Sequence, residues 1–220
     1  MPGKLSKPAI VQAALDVLDE SGIDGVTVRA VAARLGVKAA ALYWHVRDKQ
    51  ELLDEMGTEI WRRVSAEIAA LPDGEPWDVT MTAVAGIIRR ALLSHRDGAK
   101  VFTGTYLTDT SVLEAQEAGL ARMTQQGFTV EGVVQAYMLV YNFTVGFCIE
   151  EQAVAQAIAS GDERYSLDHR AGRLDSEAHS RVIEAGPAIF GDAGQRFDRL
   201  IGLIIDTGRR LLTASAQQPA

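Results

Sequence analysis

Apolar residues recur at three- and four-residue spacing through most of this 220-residue chain, and no convincing alternating strand pattern interrupts them. That periodicity restricts the fold to the all-α class. Ile10, Ala14, Val17 and Leu18 share one face of a first helix, and Gly22 stands where it should stop. Thr27 is placed to cap a second helix over 28–35, which buries Val31 and Leu35 and ends at Gly36. A short third helix over 38–44 follows. Asp48 then caps a long fourth one, with Leu52, Leu53, Met56, Ile60 and Val64 in register. The turn-rich stretch 71–76, Leu-Pro-Asp-Gly-Glu-Pro, breaks the chain. Helix is expected again over 77–94, 108–125, 129–151 and 194–213, with a short element at 95–102. The last helix sets Phe197, Leu200, Ile201, Ile204, Ile205, Leu211 and Leu212 on one broad face. The charged stretch 159–177 reads as a loop or a weak helix.

Composition removes several classes. An apolar share of 47% excludes general disorder, and a lone cysteine, Cys148, excludes an intrachain disulfide. One thiol suits a reducing compartment, so a cytoplasmic location is expected. Met1-Pro2-Gly3-Lys4 leads into mixed residues, so no secretory leader is expected. Residues 132–149 carry no charge, nearly a membrane span in length. Gln135, Asn142 and Thr144 interrupt them and Glu131, Glu150 and Glu151 flank them, which favours a buried core or interface helix with no membrane partner.

The formal charge of −7 hides an asymmetry. Residues 1–50 hold seven basic and five acidic side chains, and within 27–49 five basic residues face only Asp48. A cationic patch on an anionic body suits a polyanion docking at one end, although a patch of this size is also a common solvated surface.

The patch coincides with a motif. Ala32 and Ala33 permit close helix approach, Gly36 makes a turn, and Val37 plugs the angle, as in a helix-turn-helix. The short helix after it would enter the major groove of double-stranded DNA. Thr27, Arg29, Lys38, His45 and Lys49 are candidate phosphate contacts. Ala39 and Ala40 allow close approach to thymine methyls, and Tyr43 and Trp44 are candidate contacts beside them. The alternative is a plain helical hairpin with Tyr43 and Trp44 in its core. His95-Arg96-Asp97-Gly98 could suggest an acid–base pair, but no nucleophile is placed near it. The four histidines, His45, His95, His169 and His179, make no metal-spaced pair. Neither an enzyme nor a cofactor is expected.

The stretch 27–49, with Leu42-Tyr43-Trp44-His45-Val46 and Lys49-Gln50-Glu51-Leu52-Leu53, resembles the DNA-binding domain of TetR-type transcriptional repressors. Ala91-Leu92-Leu93-Ser94-His95-Arg96-Asp97-Gly98-Ala99-Lys100-Val101, Gly104-Thr105, Gln125-Gln126-Gly127-Phe128 and Phe143-Thr144 with Gly146 are similar to the tetracycline-repressor branch. The resemblance covers most of 5–151 and is weak beyond. It implies a homodimer in which helices 129–151 and 194–213 form the interface. A helix-turn-helix domain at 1–50 would join a ligand-binding and dimerisation domain at 51–215. Segment 95–98 would be a hinge that pushes the fourth helix when a small-molecule effector binds.

The resemblance also implies an altered effector site. Phe102 stands where that branch has a magnesium-binding histidine, and Tyr106 where it has an arginine. Ser65 and Asn142 replace histidines, Val84 and Ile88 replace asparagine and phenylalanine, and Gly119 replaces glutamine; Thr105 and Glu150 remain. Phenylalanine cannot ligate a hard cation, so no metal is expected and a larger or more apolar effector is. Trp61, Phe102, Tyr106, Tyr137, Tyr141 and Phe147 would line its cavity, with Asn142 and Glu150 as polar handles. Tyr137 and Tyr141, one turn apart, read equally as core or interface, and Glu150 as an exposed helix end. Ligand is expected to loosen DNA binding, with ligand-dependent activation or corepression and a non-switching DNA binder as alternatives.

Overall fold

Short polar side chains start the helices of the N-terminal end. Ser6 accepts from the Ala9 N–H ahead of α1 (Lys7–Gly25), Thr27 from Ala30 ahead of α2 (Val28–Arg34), and Asp48 from Glu51 ahead of α4 (Lys49–Ala69). Between α2 and α4 lies α3 (Ala39–Leu42), shorter than its sequence pattern suggests because residues 43–45 form a turn. Gly22 takes a φ of 71° and breaks the regular backbone of α1, as its position anticipates. The computed structural model describes residues 5–215, with side chains as far as residue 209. Met1 to Lys4 and the side chains of Leu211 and Leu212 lie outside the described residues.

The trunk continues with α5 (Trp77–Leu93), α6 (Gly98–Phe102), α7 (Ser111–Thr124) and α8 (Val130–Ala159). A 3-10 turn at Glu163–Tyr165 leads to α9 (Leu167–Gly172), α10 (Ser180–Phe190) and α11 (Ala193–Ser215). There is no strand among the described residues. α8 runs eight residues beyond its expected end, because Gln152 to Ala159 is mostly Ala and Gln and contains no Gly or Pro to break it. α10 has no expected counterpart. Pro187 inside it, flanked by Gly186 and Gly191, disguises it as a turn, and none of its residues is buried.

Two apolar clusters fill the interior. The first is continuous from the headpiece (Ile10, Leu18, Val31, Leu42) through α4 (Leu52, Met56, Ile60) to Ile88 and Phe102 in the trunk. Each such fully buried side chain contributes about 1.5–3 kcal/mol. The second joins Trp77, Met81, Val140, Phe147, Phe197 and Ile201, where α8 lies between α5 and α11. α8 is long and apolar enough by composition to cross a bilayer, yet nearly half of that stretch is buried inside this protein. Its outer face leaves Val134, Met138 and Leu139 exposed, and α11 likewise leaves Leu200 and Leu203. An exposed apolar strip of this kind marks an association surface.

Candidate functional site

The candidate DNA interface is built on α2 and α3. Gly36, with φ of 68°, lets the chain turn, and the Val37 N–H closes the turn on the Ala32 carbonyl at 3.0 Å. Val37 and Ala39 pack inward on the core, while Ala40 faces out. Tyr43 is 53% exposed and Trp44 89% exposed, so the hairpin alternative, which needs both in the core, does not describe this fold. Two large rings projecting from a small helical tip form an apolar surface of the kind that marks a binding site.

The cations divide into engaged and available groups. Arg34 binds Asp16 at 3.1 Å and Glu20 at 2.5 Å, and Arg47 binds Glu51 at 3.0 Å. Lys49 donates to the Ile23 carbonyl at 2.9 Å, holding the end of α1 rather than facing outward. Arg29 and Lys38 make no ion pair or side-chain hydrogen bond among the described residues, and both are exposed. Thr27 keeps its hydroxyl proton while its oxygen caps α2. His45 is half-buried in the turn after α3. Five sequence cations thus reduce to two with no internal obligation.

The candidate effector core is an aromatic ladder. Trp61 on α4 stacks on Phe102 at the end of α6, ring centroids 4.3 Å apart, and on Tyr141 of α8 at 5.7 Å. Tyr137 continues the stack beyond Tyr141 at 5.9 Å. Val84 and Ile88 are buried in the same cluster, and Ser65 sits half-buried one turn beyond Trp61. Burial pushes both phenols above their ordinary pKa, most strongly Tyr137.

Several expected lining residues lie elsewhere. Phe147 belongs to the second cluster, tilted against Phe143 and edge-on to Phe197, because its angular position on α8 faces α11. Tyr106 is 76% exposed, its backbone N–H held by Asp54 at 3.2 Å. Asn142 points out from the opposite side of α8 to the ladder. Glu150 is exposed and lines a groove with Tyr165, Arg170 and Arg196 instead. Gly119, half-buried on α7, has open space around it. Thr105 turns its hydroxyl back to the Val101 and Phe102 carbonyls, and its side chain, hydroxyl oxygen foremost, fills the notch that Gly57 leaves on α4.

The connection from trunk to headpiece uses the expected hinge segment 95–98 together with residues that the sequence pattern did not single out. The loop after α6 docks along α4: Thr58 accepts from the Thr108 N–H at 3.1 Å, and Arg62 binds Asp109 and Glu59. The corner 95–98 grips α1. His95 Nδ1 lies 2.9 Å from Asp19, which also accepts the Arg96 N–H at 2.9 Å, and Asp97 accepts from Ile23. Gln152 of α8 holds the corner from behind, accepting from Ala99 at 3.1 Å and donating to the Leu92 and His95 carbonyls at 2.9 and 2.7 Å. The signal available in sequence was Gln152 and Gln156, two amides one turn apart at the end of an apolar helix.

A helical tip with exposed rings and free cations, carried on an all-helical trunk with an aromatic centre, defines a DNA-binding regulator. Residues 10–56 match the family described as bacterial regulatory proteins, tetR family, and residues 71–207 match the tetracyclin repressor-like C-terminal domain. The tetracycline repressor protein class A from transposon 1721 of Escherichia coli is 33% identical over 98% of this chain and 97% of its own length. A possible TetR family transcriptional regulator from Streptomyces coelicolor A3(2) superposes with a TM-score of 0.80 at 30% identity, covering 94% of this chain and all of the other. TetR(class A) in complex with 5a,6-anhydrotetracycline and magnesium gives 0.66 at 30% identity, over 94% and 99%. The chain belongs to the tetR family of bacterial regulatory proteins: it is a dimeric, ligand-responsive transcriptional repressor that binds operator DNA.

Proposed function

We propose that a flat, largely apolar aromatic effector enters the ladder and releases the repressor from its operator. The observation that carries this reading is the Trp61–Phe102 stack. Trp61 stands on α4, the helix whose first turn borders the DNA-binding end, and Phe102 ends the short α6. The rings fill one another's space, so a guest has to part them, and parting them displaces α4. Headpieces carried on two displaced α4 helices lose the one-turn spacing that an operator requires. Only a differential affinity of the effector for the two arrangements is needed. Residues 1–50 form the reading unit and 51–215 the sensing and dimerisation unit, with α4 shared between them, and the protein works in the cytoplasm. Its DNA contacts are Thr27, Arg29, Lys38, Ala40, Tyr43, Trp44 and His45, whereas Ala39, expected among them, packs against the core. Lys49 acts there chiefly by fixing α1 through Ile23.

Magnesium–tetracycline does not fit these residues. The Phe102 ring is wholly buried within the ladder and offers no donor to a hard cation, and Glu150 faces a different groove. The reading is tested with an operator selected from random DNA by the ligand-free protein. Fluorescence anisotropy is then followed while fused-ring aromatics are added. Binding compounds are expected to weaken operator affinity at least tenfold. A compound that binds tightly and leaves operator affinity unchanged overturns the switch, and one that strengthens it makes the protein a corepressed regulator.

A further inference from the structure

Four threonines within helices or at their ends return their hydroxyl to a carbonyl in the preceding turn. Thr82 does so to Asp78 at 2.7 Å, Thr103 to Ala99 at 2.7 Å, Thr124 to Ala121 at 3.0 Å and Thr207 to Leu203 at 3.0 Å. Thr144 does not. It is wholly buried at the centre of α8, and its Oγ1 has no hydrogen-bond partner. A rotamer that pairs this hydroxyl is open to any helical threonine, so a buried, unpaired one is a standing cost that calls for a partner outside the chain.

Thr144 has company. Tyr137, Tyr141 and Thr144 fall at i, i+4 and i+7, a single stripe on the buried side of α8. The phenolic oxygens of Tyr137 and Tyr141 also have no hydrogen-bond partner among the described residues. The three hydroxyls span about 10 Å of helix rise. Of the three residues, Tyr141 stacks on Trp61 and tilts against Phe102, and Tyr137 stacks on Tyr141. No formal charge lies on α8 from Gly132 to Ile149. Cys148, the next residue along the stripe, is neutral, because burial and then the Glu151 carboxylate push its thiol up to about 12. Gln152 beyond it has spent its amide on the α5–α6 corner.

We infer that Tyr137, Tyr141 and Thr144 are the polar edge of the effector site, and that the effector is an uncharged fused-ring aromatic carrying phenol or quinone oxygens along one long side. This rests on the reading of the ladder as the effector site and adds its chemistry. Each hydroxyl both donates and accepts, so phenols and quinone carbonyls are equally served. A row of hydroxyls left unpaired by a hydrocarbon discriminates against it more strongly than shape alone does.

The test is equilibrium dialysis of the full-length dimer with 1,8-dihydroxyanthraquinone and with anthracene. The hydroxylated quinone is expected to bind at least tenfold tighter. Thr144→Val is expected to erase most of that preference while raising the melting temperature, since a methyl replaces an unpaired hydroxyl. A threonine with a purely structural role would lower it. Tyr137→Phe, which keeps the stacked ring, provides a second variant with the same expected loss of preference. Equal affinity for the two compounds, or a Thr144→Val protein that keeps the full preference, overturns the inference. If anthracene binds and frees operator equally well, the ladder remains the effector site and only its polar edge is refuted. If neither compound binds, both fail.

Discussion

Asp97 accepts the backbone N–H of Ile23 at 3.1 Å while holding a left-handed φ of 56°, the sole non-glycine residue to do so among those described. Asp and Asn tolerate that conformation better than other side chains. Gly22, beside Ile23, leaves the space: a Cβ there would sit 2.9 Å from the Asp97 carboxylate. The headpiece is therefore attached twice, through the continuous α4 and through this contact between α1 and the trunk corner. Asp97→Ala removes the acceptor and imposes the strained φ on alanine, so it is expected to cost about 1–3 kcal/mol. Urea denaturation checks this, and an unchanged midpoint denies the contact any holding role.

The same carboxylate sets an acid limit. Burial alone works against its ionisation, but the Lys100 ammonium at 2.9 Å, the Ile23 N–H and the Gln156 amide outweigh it and hold its pKa below the ordinary 3.8. A depressed folded-state pKa contributes stability that is present above 3.8 and lost as pH falls through the lower folded value. Asp109, held down by the Ser111 hydroxyl and then by Arg62, adds in the same direction. Wild-type stability is expected to drop below about pH 4. Asp97→Asn, less stable at neutral pH, should show a shallower drop. Parallel acid limbs for the two proteins count against this assignment.

Salt dependence separates the cations of the DNA-binding end. Arg29→Ala and Lys38→Ala are each expected to reduce the slope of log affinity against log salt by about one. Arg34→Ala and Arg47→Ala should change it far less, because each guanidinium is already matched by carboxylates. Equal slope changes for all four would mean that DNA breaks the internal pairs.

Much of this arrangement was readable from residue spacing. The caps Thr27 and Asp48, the turn glycine Gly36 and the apolar registers of α1, α4, α5 and α8 are local signals, and local physics decides them. The site was less legible. Whether Phe147 or Tyr141 joins Phe102 depends on a rotation of about 120° around one helix between positions six residues apart, and on which helix packs against each side. The engagement of Arg34 by α1 is equally non-local: its partners lie 14 and 18 residues away. α10 was hidden because Pro187 speaks locally against the helix that surrounding packing allows.

Cys148 offers a probe of the trunk. With its thiol wholly buried and its pKa pushed up to about 12, it holds almost no thiolate at neutral pH. Reaction with an aromatic disulfide reagent is expected only as fast as the trunk opens. Rapid labelling of the folded dimer would show α8 to be loose on the α5 side.

Gln152 gives the sharpest contrast between two neighbouring amides. Its oxygen and both amide hydrogens are used, on Ala99, Leu92 and His95, at a position that is nearly fully buried. Gln156, one turn on, makes a single 3.3 Å bond to Asp97 and is half-buried. Leucine at 152 matches the volume but leaves the Ala99 N–H and the Leu92 carbonyl unpaired, while the His95 carbonyl keeps the Gly98 N–H, so Gln152→Leu is expected to cost about 3 kcal/mol. Gln156→Ala should cost under about 1 kcal/mol, since water replaces its partner. The larger loss should bring a second effect. The corner that Gln152 braces is the one that grips Asp19 and Ile23 of α1, so the released headpiece should bind operator at least tenfold more weakly under conditions where the dimer remains folded. Circular dichroism melts and operator anisotropy on the same samples decide it. A Gln152→Leu protein that is destabilised yet binds operator normally would leave α4 as the sole mechanical link between trunk and headpiece.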